Sequence, residues 1–260
     1  ALLRQEITYM PRSSTVDPVD RAKMVHWCYQ VLDFCQLDRT IAEIAMNYTD
    51  RYSANCRQQR WTKFSYQQLA MTALYTAVKI HGAEAMDPRL VSEKLSRGTY
   101  TVSQIEEQER QLLEVLEWRV NPPTTTNYVT LFLGIVTKLV SIPVSQELAA
   151  FDCSMQLVMN VLKEDRFQRP SRIAFDAILT ALRRETKLLD EQVDWIGCVV
   201  ANTLGLDHCD CSFKIFECLA TDTISQSSHK RRRHHHDEPM GTESPRSSAA
   251  SPLFQETVSL

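Results

Sequence analysis

Four charged residues stand inside helical apolar patterns, where a full charge needs a reason: Arg21 beside the core face of VDRAKMVHWCYQV, Asp50 near the end of IAEIAMNYTDRY, Lys79 closing LAMTALYTAVK, and Glu109 within QIEEQERQLLEVLEW. Two cations and two anions on separate helices can close internal ion pairs that join elements, or present charged hydrogen-bonding groups to another protein. Taken singly, each is more often a wet or intramolecular ion pair. A catalytic constellation is a different pattern. The sequence has no Gly-rich phosphate loop, no HExxH and no nucleophile elbow, and its histidines are scattered or run together at His234 to His236. The expectation is a protein that binds and does not catalyse, with no cofactor.

The eight cysteines lie mostly inside apolar helical patterns, as free buried thiols do in a reducing compartment, so no disulfide framework is expected. Cys209-Asp210-Cys211 has neither the spacing nor the second ligand pair of a zinc site, and no metal is expected. There is no signal peptide and no apolar run near the ~20 residues of a membrane span. The chain opens on Ala1 and not on methionine, as a fragment or a processed form does. A net charge of -3 without a concentrated basic face argues against direct nucleic-acid binding and toward a protein partner.

The elements that must position these residues are helices. The chain is 260 residues long, 43% hydrophobic and 23% charged, with six glycines, too few for a turn-rich β protein. The stretch from Phe64 to Gly82 is apolar almost all round from Leu69 to Ile80, the pattern of a central helix enclosed by others. Before it, LLRQEITYM predicts a short helix that is an appendage, Asp17-Pro18 caps a first long helix, and Thr40 to Cys56 forms a second. After it come a short helix from Pro88 to Leu95 and a long one from Val102 to Trp118, stopped by Asn121-Pro122-Pro123. The pattern then restarts, with helices near 126–140, 144–163, 171–185, 191–206 and 209–220. Sliding the chain by 104 positions lays LAMTALYTAVK (69–79) on IAFDAILTALR (173–183) and Glu43-Ile44-Ala45 on Glu147-Leu148-Ala149. The chain reads as two copies of one helical unit. The domains expected are an N-terminal helix and linker (1–16), a first repeat (17–123), a second (124–221) and a disordered tail (222–260).

The four segments VDRAKMVHWCYQV, IAEIAMNYTDRY, ALYTAVKIHG and QERQLLEVLEWRVNPPT, in that order, closely resemble the cyclin box of the cyclin family. Family members carry Met-Arg-Ala-Ile-Leu followed by Trp in the first helix; here Asp20-Arg21-Ala22-Lys23-Met24 precedes Trp27. The Asn-Tyr-x-Asp-Arg-aromatic motif is intact from Asn47 to Tyr52. The resemblance covers roughly residues 2–220, strongly in the first repeat and by pattern in the second, and implies an all-α fold of two tandem five-helix cyclin boxes. It implies that Arg21 and Asp50 form a structural ion pair, and that Lys79 and Glu109 reach a cyclin-dependent Ser/Thr kinase, whose activity the cyclin switches on during the cell cycle. It implies a patch for substrates or inhibitors with short docking motifs at Met24, Trp27, Gln30, Tyr66 and Gln67. There Asp20 and Lys23 replace apolar residues, and Gln30 stands where an acid is common. After Lys79 the family often has an aromatic and two acids, whereas this chain has Ile80-His81-Gly82.

In the tail, Lys230, Arg231, Arg232 and Arg233 read as a nuclear import signal, giving a nuclear and cytoplasmic protein, and Ser244-Pro245 and Ser251-Pro252 as sites for a proline-directed kinase. The alternative reading of the whole is a cyclin-box transcription scaffold, of the general-transcription-factor or transcriptional-cyclin type. It would need a basic face that the folded part lacks.

Overall fold

Helix starts are written into the sequence and the fold uses them. The computed structural model describes residues 2–11, 16–56, 61–163 and 168–206, all within one compact unit that runs to Asp210. Its elements are α1 (Leu2–Tyr9), α2 (Pro18–Phe34), α3 (Thr40–Asn55), α4 (Lys63–His81), α5 (Pro88–Leu90, continuing as a π-helical turn, Val91–Leu95), α6 (Val102–Val115), α7 (Thr125–Leu139), α8 (Val144–Lys163), α9 (Pro170–Glu185) and α10 (Asp190–Leu204). There is no strand among the described residues, so the all-α expectation holds. The expected helix near 209–220 and the tail, with Lys230 to Arg233, Ser244 and Ser251, lie outside the described residues.

Asp17 accepts the Val19 amide at 2.8 Å and Pro18 fills the first turn of α2, where no N–H is needed. Thr62 with Ser65 and Thr101 with Gln104 make reciprocal caps at the starts of α4 and α6. These caps fix where each helix begins, and so which residues face inward. On α6 the inward stripe is Ile105, Glu109 and Leu112.

The core of the first repeat is α4. Every residue from Leu69 to Val78 is buried, and α3 and α6 pack against it. Its alanines at 70, 73 and 77, all at 0% exposure, let neighbouring backbones approach closely. Leu69 and Leu74 are also fully buried, each worth about 1.5–3 kcal/mol of transfer free energy. In the second repeat α9 holds the corresponding place, packed between α7 and α8 with α10 alongside.

Four expectations are corrected. The segment before Pro11 is helical but is no appendage: Glu6 is 1% exposed, and its carboxylate accepts the Ser171 amide at 3.1 Å and the Ser171 hydroxyl at 2.7 Å. Ile80 is 41% exposed, so the enclosed part of α4 ends at Val78. α6 stops at Val115, because Glu117 and Trp118 both turn left-handed and leave the Trp118 ring 69% exposed. Among the described cysteines only Cys28 is buried, where burial pushes its thiol up to about 12, while Cys198 is exposed on α10.

Candidate functional site

Lys79 lies in the last turn of α4, where the exposed carbonyls favour a cation, and Glu109 sits on the inward stripe of α6 opposite it. The two meet. Lys79 Nζ donates to both Glu109 oxygens, at 3.1 and 3.2 Å. The lysine side chain is 50% exposed and the glutamate 10%, so the pair presents its cation outward over a sunken anion. Nζ also lies 5.5 Å from the Tyr75 ring centre, and Thr76 Oγ1 is 3.4 Å from Glu109. Burial opposes the lysine charge, but the hydrogen bond and charge of Glu109 outweigh it and hold the ammonium above its ordinary value. The result is a preformed charge pair at the edge of the central helix, able to offer a donor and an acceptor to another protein's backbone.

The helix end beside it is fixed by the residues that follow. His81 Nε2 lies 2.8 Å from the Val120 carbonyl and 3.1 Å from the Tyr48 hydroxyl, which itself donates to Val120. At Gly82 a Cβ would sit 2.6 Å from the Val78 carbonyl, so the chain leaves α4 through a position that only glycine fills without displacement. His81 and Gly82 thus have structural work that ties α4 to the segment leading into α7.

The Asn47 to Tyr52 motif distributes its side chains around one helix so that each joins a different element. Asn47 donates to the Tyr9 carbonyl at 3.0 Å, binding α1. Asp50 receives Arg21 of α2 through two guanidinium nitrogens, the closest contact 2.7 Å, with both residues under a tenth exposed. Arg21 reaches on to the Leu162 carbonyl at 2.6 Å, so the pair also joins the second repeat. Arg51 donates to the carbonyls of Leu116 and Arg119, just past the end of α6, and stacks over the Tyr9 ring at 4.8 Å. Tyr52 packs edge-on against Trp61.

A second long-range contact had no sequence signal beyond the repeat match. Glu43 of α3 is 9% exposed, and its carboxylate accepts the Thr125 amide at 2.6 Å, the Thr126 amide at 3.3 Å and the Thr126 hydroxyl. A buried acid on a helix start is placed where the dipole and the free amides favour it. Burial still raises its pKa, against the opposing pull of those hydrogen bonds. Glu6 does the same for α9 through Ser171. Two acids from the first part of the chain therefore hold the starts of two helices of the second.

Of the residues offered as a docking patch, Met24 and Tyr66 are each 2% exposed and belong to the core. Their side chains therefore offer little surface to a docking motif. Trp27, Gln30 and Gln67 are half-buried and leave a narrower surface. Among the described residues no group of three or more His, Cys, Asp and Glu side chains could hold a metal, and no helix is long and apolar enough to cross a membrane.

Residues 2–121 match the family model described as "Cyclin, N-terminal domain". Curated relatives include cyclin-D3-3 of Arabidopsis thaliana, 25% identical over 177 residues that cover 66% of this chain and 47% of the relative. Cyclin-D4-2 of Oryza sativa subsp. japonica is 24% identical over 207 residues, 74% of this chain and 52% of the relative. G1/S-specific cyclin-E1 of Gallus gallus is 25% identical over 128 residues, 49% and 30%. The chain thus spans about half the length of the first two and less of the third. Among solved structures, a viral cyclin from herpesvirus saimiri superimposes with a TM-score of 0.59 at 16% identity, over 79% of this chain and 95% of the other. A chain of the CAK complex of Chaetomium thermophilum bound to ATP-gamma-S does so at 0.52 and 12%, over 92% and 88%.

Proposed function

We propose that this chain is a cyclin, the regulatory subunit of a cyclin-dependent Ser/Thr kinase in cell-cycle control, on the match of residues 2–121 to the cyclin N-terminal domain and the likeness to D-type and E-type cyclins. The observation that carries this reading is the preformed Lys79–Glu109 pair at the edge of the central helix. In this mechanism the exposed ammonium donates to a backbone carbonyl of the partner, and the glutamate beneath it accepts a backbone N–H once the lysine swings outward. A pair assembled before binding loses less side-chain freedom when the partner arrives. Held by these contacts, the kinase's αC helix completes the Lys–Glu ion pair that its own phosphoryl transfer needs, and the activation segment opens. The phosphoryl chemistry belongs to the kinase.

Trp27, Gln30 and Gln67, on the α2 and α4 surface, are proposed to receive short docking motifs of substrates or inhibitors. The buried positions of Met24 and Tyr66 make that surface shallow, and a weak, transient grip is expected of it.

The test is reconstitution with a panel of purified monomeric cyclin-dependent kinases, comparing the wild type with the K79A/E109A double variant. The expected outcome is stimulation of at least one kinase, lowered about tenfold or more in the variant; each tenfold corresponds to about 1.4 kcal/mol. Undiminished stimulation by the variant would remove the assigned contact. No stimulation by the wild type across the panel would remove the kinase role, leaving the transcription-scaffold reading to be tested by a salt-dependent DNA shift.

A further inference from the structure

Six charged side chains are buried among the described residues, and five are accounted for as they stand. Arg21 faces Asp50, Glu109 faces Lys79, and Glu6 and Glu43 sit on helix starts. The sixth, Arg51, is 8% exposed and has no carboxylate in ion-pair range among the described residues. It donates to two carbonyls, one through each terminal nitrogen, Nη1 to Arg119 and Nη2 to Leu116. A guanidinium has five N–H groups in a fixed fork, so three have no acceptor among the described residues.

Arg51 also lines an open space. Between the end of α1, the last turn of α3 and the end of α6 lies a groove of about 210 Å³. Arg119, whose side chain is about half exposed, stands on its wall beside Asn55, and its guanidinium is held by Glu117 at 2.8 Å. Among the described residues the groove is therefore lined by two cations and one acid, and that acid is in direct contact with the outer cation. Burial pushes the Arg51 guanidinium below its ordinary value, the like charge of Arg119 adds to that push, and Tyr9, Tyr48 and Glu117 oppose it. Both costs fall when an anion enters between the two.

We infer that this groove is a site for a phosphate dianion on a short stem, the chemistry of a phosphorylated serine or threonine side chain of another protein. Two guanidinium forks match the several oxygens of a tetrahedral dianion, and its double charge offsets both cations where a single carboxylate offsets one. The groove's lining is mostly polar, with a small apolar share from Met10, Pro11, Ala54 and Val115 beside which a short stem fits. The space exceeds that of the phosphate alone, which favours an anion carried on a side chain over a free ion. The site is on different elements from the Lys79–Glu109 edge except for α6, and it does not depend on the kinase reading.

The experiment is calorimetric titration of the full chain at low salt with a capped alanine peptide bearing one central phosphoserine, beside its unphosphorylated form and inorganic phosphate. R119Q and E117Q are the variants, both at exposed side chains, with folding checked by circular dichroism. The expected result is saturable binding of the phosphopeptide alone or well ahead of inorganic phosphate, weakened about tenfold by R119Q. E117Q, which frees the Arg119 fork, should tighten it about threefold, an effect that a merely structural Arg119 would not produce. Inorganic phosphate binding as tightly as the phosphopeptide would overturn the assignment to a side chain. No saturable binding, or full affinity retained in R119Q, would overturn the site altogether.

Discussion

The central helices of the two repeats, α4 and α9, share their alanines and their closing cation but not their surroundings. Along α4 every position from Leu69 to Val78 is buried, whereas on α9 the corresponding stripe of Ile173, Asp176, Thr180 and Arg183 is only half-buried among the described residues. The 104-residue shift places Lys79 on Arg183 and Thr76 on Thr180. Lys79 takes its acid from α6, a helix that covers α4, and Arg183 takes Asp190 and Asp194 from the start of α10. The two matched helices thus each carry a cation at the end while the anion that meets it comes from a different element. What is common to the copies is the packing requirement, small residues where helices cross and charge where the helix leaves the core. What differs is the use of the exposed end.

Three sets of variants sharpen or break this comparison. The largest effect is expected where the copies agree. Leu74→Ala and Ile178→Ala each remove a side chain buried to 3% exposure or less at matched positions, and each should cost about 2–5 kcal/mol in urea denaturation. A loss at Ile178 well below that range would mean that the second core is not packed like the first.

Next are the contacts that join the repeats. Glu43→Ala leaves the Thr125 and Thr126 amides and the Thr126 hydroxyl without their acceptor, at a cost of about 1–3 kcal/mol by the same measurement. Its pH signature is distinct. The folded state holds the Glu43 proton more tightly than the unfolded chain does, so ionisation with rising pH removes stability. The stability difference between wild type and E43Q should therefore fall as pH rises from the ordinary carboxylate value through the raised one, then level off. A difference that grew with pH would contradict the dominance of burial at this site.

The smallest effect on stability, and the most discriminating for function, is at the closing cations. Lys79→Ala and Arg183→Ala each break an ion pair with a partly exposed member, worth about 0–1 kcal/mol. Only the Lys79 variant is expected to lower kinase stimulation. Equal losses of stimulation from both would erase the functional distinction between the two helix ends.

Much of the fold was legible because its signals are local. Asp17-Pro18 and the alanine-rich runs of the two central helices depend on neighbours within a turn or two, and the helices appear within a few residues of where those signals put them. The join of Arg21 to Asp50 was legible through the family motif and is present as a direct pair. The roles of Glu6 and Glu43 were not, because their partners lie 165 and 82 positions away and a lone glutamate on a helix reads as a wet face. The burial of Met24 and Tyr66 was not legible for a related reason: a large side chain on an amphipathic helix has the same spacing whether it lines a groove or fills the core.

The sequence by itself determined the helical class, the positions of most helices, and the charged residues that need an explanation, since caps, prolines and apolar spacing act through contacts a few residues apart. Only the tertiary structure decided that Lys79 meets Glu109 and not another acid, that two glutamates close the starts of α7 and α9, and that Arg51 is left beside an open groove. Those outcomes depend on which helix faces lie opposite each other across the core, and a charge's partner is chosen by distance in space and by the loss of water around it, neither of which a linear spacing records.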